Sequence, residues 1–265
     1  MNTTRTLDNS TIHLPRILCL HGGGTNARIF RAQCRGLIAG LKSEYRLVFA
    51  QAPFASQAGS DVLSVYSQWG PFRRWLRWRP EHPVIPPEDA VQEIDTWLEK
   101  AMHQDDLAGA TGEWIALLGF SQGAKVSASL LYRQQSWQEL FGTRPAGINF
   151  RFGILLAGQA PFISMDSDLT LDPPLPDASQ ITDLKHSERE LFYGKGHVLR
   201  IPTLHVHGLR DKGLDHHRKL FEDFCAPQSR RLIEWDGDHR VPLKLKDVSL
   251  VIHQIRELAK ETGVY

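Results

Sequence analysis

Gly119-Phe120-Ser121-Gln122-Gly123 is where the chemical content of this chain is densest. A serine hydroxyl is a poor nucleophile until a neighbouring base takes its proton. The G-x-S-x-G spacing puts such a serine on a sharp turn between a strand and a helix, with glycines where side chains would not fit. The turn lifts the hydroxyl above the sheet edge, and the N-terminus of the next helix favours negative charge nearby. The motif alone arises often by chance. Here it follows the apolar run Trp114 to Gly119, a predicted strand, and opens a predicted helix, which makes Ser121 the expected nucleophile.

The base that activates Ser121 should come late in the chain, in the order Ser, Asp/Glu, His. His239 follows the last predicted strand in Trp235-Asp236-Gly237-Asp238-His239, whose glycine and polar residues make a loop. The acid should follow the preceding strand, as Asp211 does in His207-Gly208-Leu209-Arg210-Asp211. Its work is to hold the histidine tautomer and stabilise the imidazolium. Asp215 is the alternative, but it falls inside the next predicted helix and reads as a helix-start charge. His205 and His207 share a strand face. An H-x-H pair with no carboxylate or cysteine partner is weak evidence for a metal, so neither metal nor cofactor is expected.

Acyl transfer also needs backbone donors aimed at the tetrahedral oxygen. One is the N–H of Gln122, next to the nucleophile. The other should come from His21-Gly22-Gly23-Gly24-Thr25, after the first predicted strand. Gly23 is favoured, with Gly24 the nearby alternative. A glycine-rich loop could also cradle phosphate, but this one lacks the Gly-Lys-Ser/Thr of a P-loop and the spacing of a dinucleotide site.

These residues need a scaffold. Short apolar runs alternate with longer amphipathic ones, the pattern of a parallel sheet with crossover helices. Strands are expected at 16–20, 46–50, 114–119, 150–156, 203–207 and 231–235. Helices are expected at 27–41, 87–102, 122–132, 214–224 and 246–260. The fold class is therefore α/β, with a mostly parallel central sheet covered by helices on both faces. Residues 1–15 read as an N-terminal extension and 16–265 as one domain. Two segments break the alternation, at about 56–86 and 159–198, and both read as lids or long loops over the strand ends.

Composition narrows the classes. A chain of 265 residues that is 42% hydrophobic and 23% charged can bury a sizeable core. A net charge of +1 lacks the basic excess of a nucleic-acid binder. Cys19, Cys34 and Cys225 form no disulfide framework or zinc motif, which fits a reducing compartment. With no apolar run long enough to span a bilayer, a cytoplasmic enzyme without membrane contact is expected.

Leu20-His21-Gly22-Gly23-Gly24, Ala52-Pro53-Phe54, Trp69-Gly70-Pro71 with Trp75, Gly119 to Ala124, Ile201 to His205 and Gly237-Asp238-His239 occur together in one order. In this the chain resembles the fungal serine hydrolase family of the α/β-hydrolase superfamily, from about Arg16 to Glu257. Within it, the chain looks most like the stand-alone hydrolases of fungal polyketide pathways, such as those of citrinin and lovastatin biosynthesis. The resemblance implies a Ser121, Asp211, His239 triad. It also implies hydrolysis of an acyl thioester on a synthase carrier domain, releasing product or clearing a stalled chain. A carboxylesterase for small oxo-esters is the competing reading, since both substrates pass through the same acyl-enzyme.

Read as a helix, Phe72 to Arg79 would split into two arcs. Phe72, Trp75 and Trp78, with Trp69 nearby, are expected to line an acyl pocket. Arg73, Arg74 and Arg77 are expected to face an acidic carrier domain or the phosphate of its prosthetic arm.

Overall fold

The computed structural model describes residues 9–142, 149–166, 169, 171–181 and 196–264. Six strands form one sheet: β1 (Arg16–Leu20), β2 (Arg46–Ala50), β5 (Trp114–Phe120), β6 (Phe152–Leu156), β7 (Thr203–Gly208) and β8 (Arg230–Trp235). Their order is β2-β1-β5-β6-β7-β8, and every pairing is parallel. β1, β5, β6 and β7 are buried along their whole length, which explains why they read as unbroken apolar runs.

Helices cover both faces. On one side lie α1 (Ala27–Gln33), α2 (Arg35–Leu41) and α7 (Leu245–Glu261). Phe30, Leu37 and Leu41 pack there with Val248, Val251 and Ile255. On the other side lie α4 (Pro87–Leu107), α5 (Gln122–Phe141) and α6 (Leu214–Phe224). Ala90, Ile94 and Leu98 join Val126, Leu131, Leu220 and Phe224 in that core. A short helix α3 (Ser60–Tyr66) lies outside these layers in sequence, between β3 (Phe54–Ala55) and β4 (Arg73–Arg74).

Several elements differ from the sequence reading. The helix expected at 27–41 is two helices, broken at Cys34, where ψ turns to 11°. The break lets α2 meet α7 closely: Gly36 faces Val248, and a Cβ at Gly40 would overlap Ile252. α4 and α5 run beyond their expected ends because polar residues there are buried and paired. Asp105 takes ion pairs from Arg16 and Arg46, and Gln134 exchanges two hydrogen bonds with the Phe150 backbone.

The clearest correction concerns Phe72 to Arg79, which is not a helix. β4 pairs antiparallel with β3. Its hydrogen bonds also run sideways, from Arg73 N to Thr25 O at 2.6 Å and from Gly24 N to Arg73 O at 2.9 Å. The glycine-rich loop takes the backbone groups that a helix would have bonded internally. Of the extension at 1–15, residues 1–8 lie outside the described residues. Ile12 O accepts from Thr111 N, so the described part docks at the base of the sheet. Much of the second expected lid, at 182–195, also lies outside the described residues.

Candidate active site

Ser121 is the turn residue between β5 and α5, with φ 53° and ψ −117°. Such a left-handed conformation in a non-glycine residue stores about 1–3 kcal/mol of strain. The surroundings enforce it. Ser121 N donates to Leu156 O at 2.8 Å, and the Ser121 carbonyl accepts from Ala124 N and Lys125 N. A Cβ at Gly119 would overlap the Gly123 carbonyl, and one at Gly123 would overlap the Leu20 carbonyl. The two glycines of the motif are therefore steric requirements of the turn.

His239 Nε2 lies 2.9 Å from Ser121 Oγ, and His239 Nδ1 lies 2.6 Å from Asp211 Oδ2. The acid and base loops hold each other. Leu209 N donates to Trp235 O and Arg210 N to Gly237 O, while Gly208 has backbone so close that a Cβ would strike the Asp238 carbonyl. Asp211 is buried, and Gly213 N donates to its Oδ1 at 2.8 Å. Burial pushes the carboxyl pKa up, but the His239 hydrogen bond and charge and the Gly213 N–H outweigh it, leaving it below its ordinary value. Asp215 is exposed in the first turn of α6, away from this chain of bonds.

The geometry separates the two glycines proposed as donors. Gly24 N–H is already bonded to Arg73 O, whereas Gly23 N–H has no acceptor among the described residues. Gly23 also abuts Gln122, whose side chain would lie 3.2 Å from a Cβ there. The Gln122 side chain has a second task that sequence reasoning missed. Its Oε1 accepts from Trp75 N at 2.8 Å and Leu76 N at 3.2 Å, and its Nε2 donates to Leu76 O. Trp75 Nε1 in turn donates to His21 O at 2.8 Å. The segment expected to be a lid is thus a wall pinned to the nucleophile turn.

A cavity of about 770 Å³ opens over Ser121 and His239, well within the range that holds a drug-sized ligand. Trp78 lines it with Leu76, Val62, Val65, Tyr66 and Ile181. The other three expected pocket aromatics lie elsewhere. Trp75 is fully buried behind the wall, Trp69 stacks under Arg28, and Phe72 is half-buried outside the lining. The expected basic arc is absent too. Arg74 is buried over the Phe54 ring, and Arg73 donates to Pro53 O. Arg77 does reach the cavity, held by the carbonyls of His82 and Pro80. Its described lining carries Arg35, Arg77, Arg79, Lys125, Lys212 and Arg240 and no Asp or Glu.

Behind Asp211 stands a row of buried imidazoles. His217 on α6 and His207 and His205 on β7 are all fully buried, with successive ring centroids 5.6 and 5.9 Å apart. Both ring nitrogens of His217 and of His207 lack a hydrogen-bond partner among the described residues. His217 Nδ1 lies 3.8 Å from Asp211 Oδ2. Burial pulls His207 down to about 4 and His217 to about 3, the latter against the charge of Asp211. One donor atom each from Asp211, His217 and His239 lies within 4.8 Å of the others, a set able to hold a metal. The H-x-H spacing gave His205 and His207 a common face but could not show that α6 adds His217.

A family model described as "Serine hydrolase (FSH1)" matches residues 10–251. The chain is 66% identical over 256 residues to "Esterase citA" of Monascus ruber, covering 96% of each. It is 53% identical to "Esterase pigG" of Monascus ruber, covering all of this chain and 98% of that one. Among solved structures, a carboxylesterase from Mesorhizobium loti superposes with a TM-score of 0.50 at 15% identity, covering 91% of this chain and 88% of the other. Zea mays acyl-protein thioesterase 2 gives the same TM-score and identity, covering 94% and 95%. At that identity the two structures speak for the α/β-hydrolase fold alone.

Proposed function

The chain belongs to the FSH1 serine hydrolase family, and from that premise we propose that it cleaves an acyl thioester through an acyl-enzyme. One observation carries the mechanism: the unbroken relay from Ser121 Oγ through His239 to Asp211 on the floor of a large cavity. Ser121 Oγ attacks the acyl carbon while His239 Nε2 takes its proton. Asp211 fixes the Nδ1–H tautomer and offsets the imidazolium charge. The N–H groups of Gly23 and Gln122 receive the oxyanion. His239 then protonates the leaving thiol, and water repeats the sequence to free the acid.

The acyl group is proposed to be a polyketide delivered by the carrier domain of a synthase in fungal secondary metabolism, which the resemblance to polyketide-pathway hydrolases supports. The cations around the cavity suit a carrier's phosphate-bearing arm. Among the described residues no helix is long and apolar enough to cross a membrane, and all three cysteines are free, which supports action in the cytosol.

The relatives named esterases favour a second reading, hydrolysis of small oxo-esters. Mass spectrometry of an acyl panel separates the two. Each acyl group is offered on a carrier domain, as a small thioester and as an oxygen ester. Faster turnover of the carrier-bound series is the expected result. A preference for the oxygen esters of the same acyl groups would give the second reading instead.

A further inference from the structure

We propose that Asp211, His217 and His239 form an inhibitory binding site for a transition-metal dication of the zinc type. Three features of the structure meet there. The first is the donor set: two imidazoles and a carboxylate suit zinc rather than the hard cations magnesium or calcium. The second is convergence. Asp211 Oδ2 lies 2.6 Å from His239 Nδ1 and 3.8 Å from His217 Nδ1, and the three donor atoms fall within 4.8 Å of one another. A metal at about 2.0–2.2 Å from each ligand needs the His239–Asp211 pair to open and His217 to move toward His239. The third is that His217 has no other work among the described residues. It is fully buried, and neither ring nitrogen has a hydrogen-bond partner. A buried imidazole left in that state is destabilising unless something uses it.

The cavity reaches the site at Gly213. A Cβ there would stand 3.1 Å from both Gln159 Nε2 and His217 Nε2 and 3.4 Å from Asp211 Oδ1, so entry runs past the Gln159 amide. On binding, the metal takes the lone pair of His239 Nδ1 and the imidazole proton moves to Nε2, so that Nε2 has no lone pair for the Ser121 proton. His239 can then no longer act as base. No imidazolium can form while the metal holds Nδ1, and the Asp211 charge that should stabilise one would already be neutralised by the metal. The inference needs the triad geometry but not the thioester reading, since it applies to any ester the enzyme accepts.

The test uses metal-free protein and a nitrophenyl ester. Micromolar zinc should inhibit reversibly, with activity restored by EDTA and no effect from magnesium. His217→Gln and His217→Phe are then compared for the zinc sensitivity of whatever activity each retains. Either should require about tenfold more zinc or beyond, the effect of losing one ligand of three. A second measurement needs neither variant. Ser121→Ala protein, which keeps all three donors, should bind one cobalt(II) ion per chain with the intense visible bands of a four-coordinate site. No inhibition at millimolar zinc, equal inhibition in the His217 variants, or a weak six-coordinate cobalt spectrum would each overturn the proposal. Because the cobalt experiment reads binding without turnover, its failure is distinct from failure of the proposed substrate.

Discussion

Two buried histidines, His21 and His217, flank Ser121 and differ in one respect. Burial is the main force on both, drawing His21 down to about 4 and His217 to about 3. His21 has every ring nitrogen in use: Nε2 accepts from Ala52 N at 3.1 Å, so Nδ1 carries the hydrogen and donates to Gly22 O at 2.8 Å. His217 and its neighbour His207 have none in use among the described residues. The His21 side carries the proposed oxyanion donors, which would stabilise charge only if they are fixed before reaction. Its polar groups are accordingly tied down, through His21, Gln122 and Trp75, to the wall of the cavity. The other side holds the acid and base loops and retains polar groups whose burial is uncompensated. One flank is built for rigidity, the other for something besides stability.

The largest effect should come from the residue that both flanks serve. Ser121→Ala should lower turnover by about 10⁴–10⁶ while leaving the fold intact. Near-normal esterase activity in a folded Ser121→Ala protein would refute the assignment. Next comes the latch on the rigid flank. Gln122→Ala keeps the backbone donor to the oxyanion but strands the N–H groups of Trp75 and Leu76. Freed from its anchor, the wall should shift, and displacements near 1 Å lower rate by about 10²-fold. Gln122→Glu keeps the accepting oxygens and should recover part of kcat. If Gln122→Ala matches wild type in kcat and KM, the wall is held by its other bonds and the flank is less dependent on Gln122 than its contacts imply.

How far the sequence disclosed this arrangement depends on how local each feature is. The four inner strands were legible because burial on both faces turns them into apolar runs bounded by polar turns. Ser121, Asp211 and His239 could be placed because each follows a strand end, and parallel strands bring those ends to one edge of the sheet. The stretch from Phe72 to Arg79 misled because its residues can be sorted onto a helix. What decides its shape is a set of hydrogen bonds to Thr25, Gly24 and Gln122, distant in sequence. The same holds for Trp75, which reads as a pocket aromatic until its indole N–H is seen to end on His21 O. His217 carries no local signal. Its meaning depends on the packing of α6 against β7.

The smallest effect tests the contrast between the flanks most directly. His21→Leu removes a donor and an acceptor and strands Ala52 N–H in a buried site, while Gly22 O keeps its bond from Thr25 Oγ1. It should lower stability at pH 7 by about 1–3 kcal/mol, the desolvation penalty of one abandoned donor. His207→Leu abandons nothing, since no group among the described residues bonds its ring. Exchanging an unpartnered polar ring for an apolar side chain of similar size should be nearly neutral at pH 7, within about 1 kcal/mol. Acid then reverses its sign. His207 in the fold titrates at about 4, below its ordinary 6.5, so between those values the unfolded chain binds more protons than the folded one. The stability that neutral His207 contributes is complete above about 6.5 and drains away as pH falls toward 4. At pH 5 the His207→Leu protein should therefore be more stable than wild type by about 1–2 kcal/mol. Urea unfolding of both variants at pH 7 and pH 5 checks this. A loss at pH 7 as large for His207→Leu as for His21→Leu would mean that His207 is as well partnered as His21, and the contrast between the two flanks would fall.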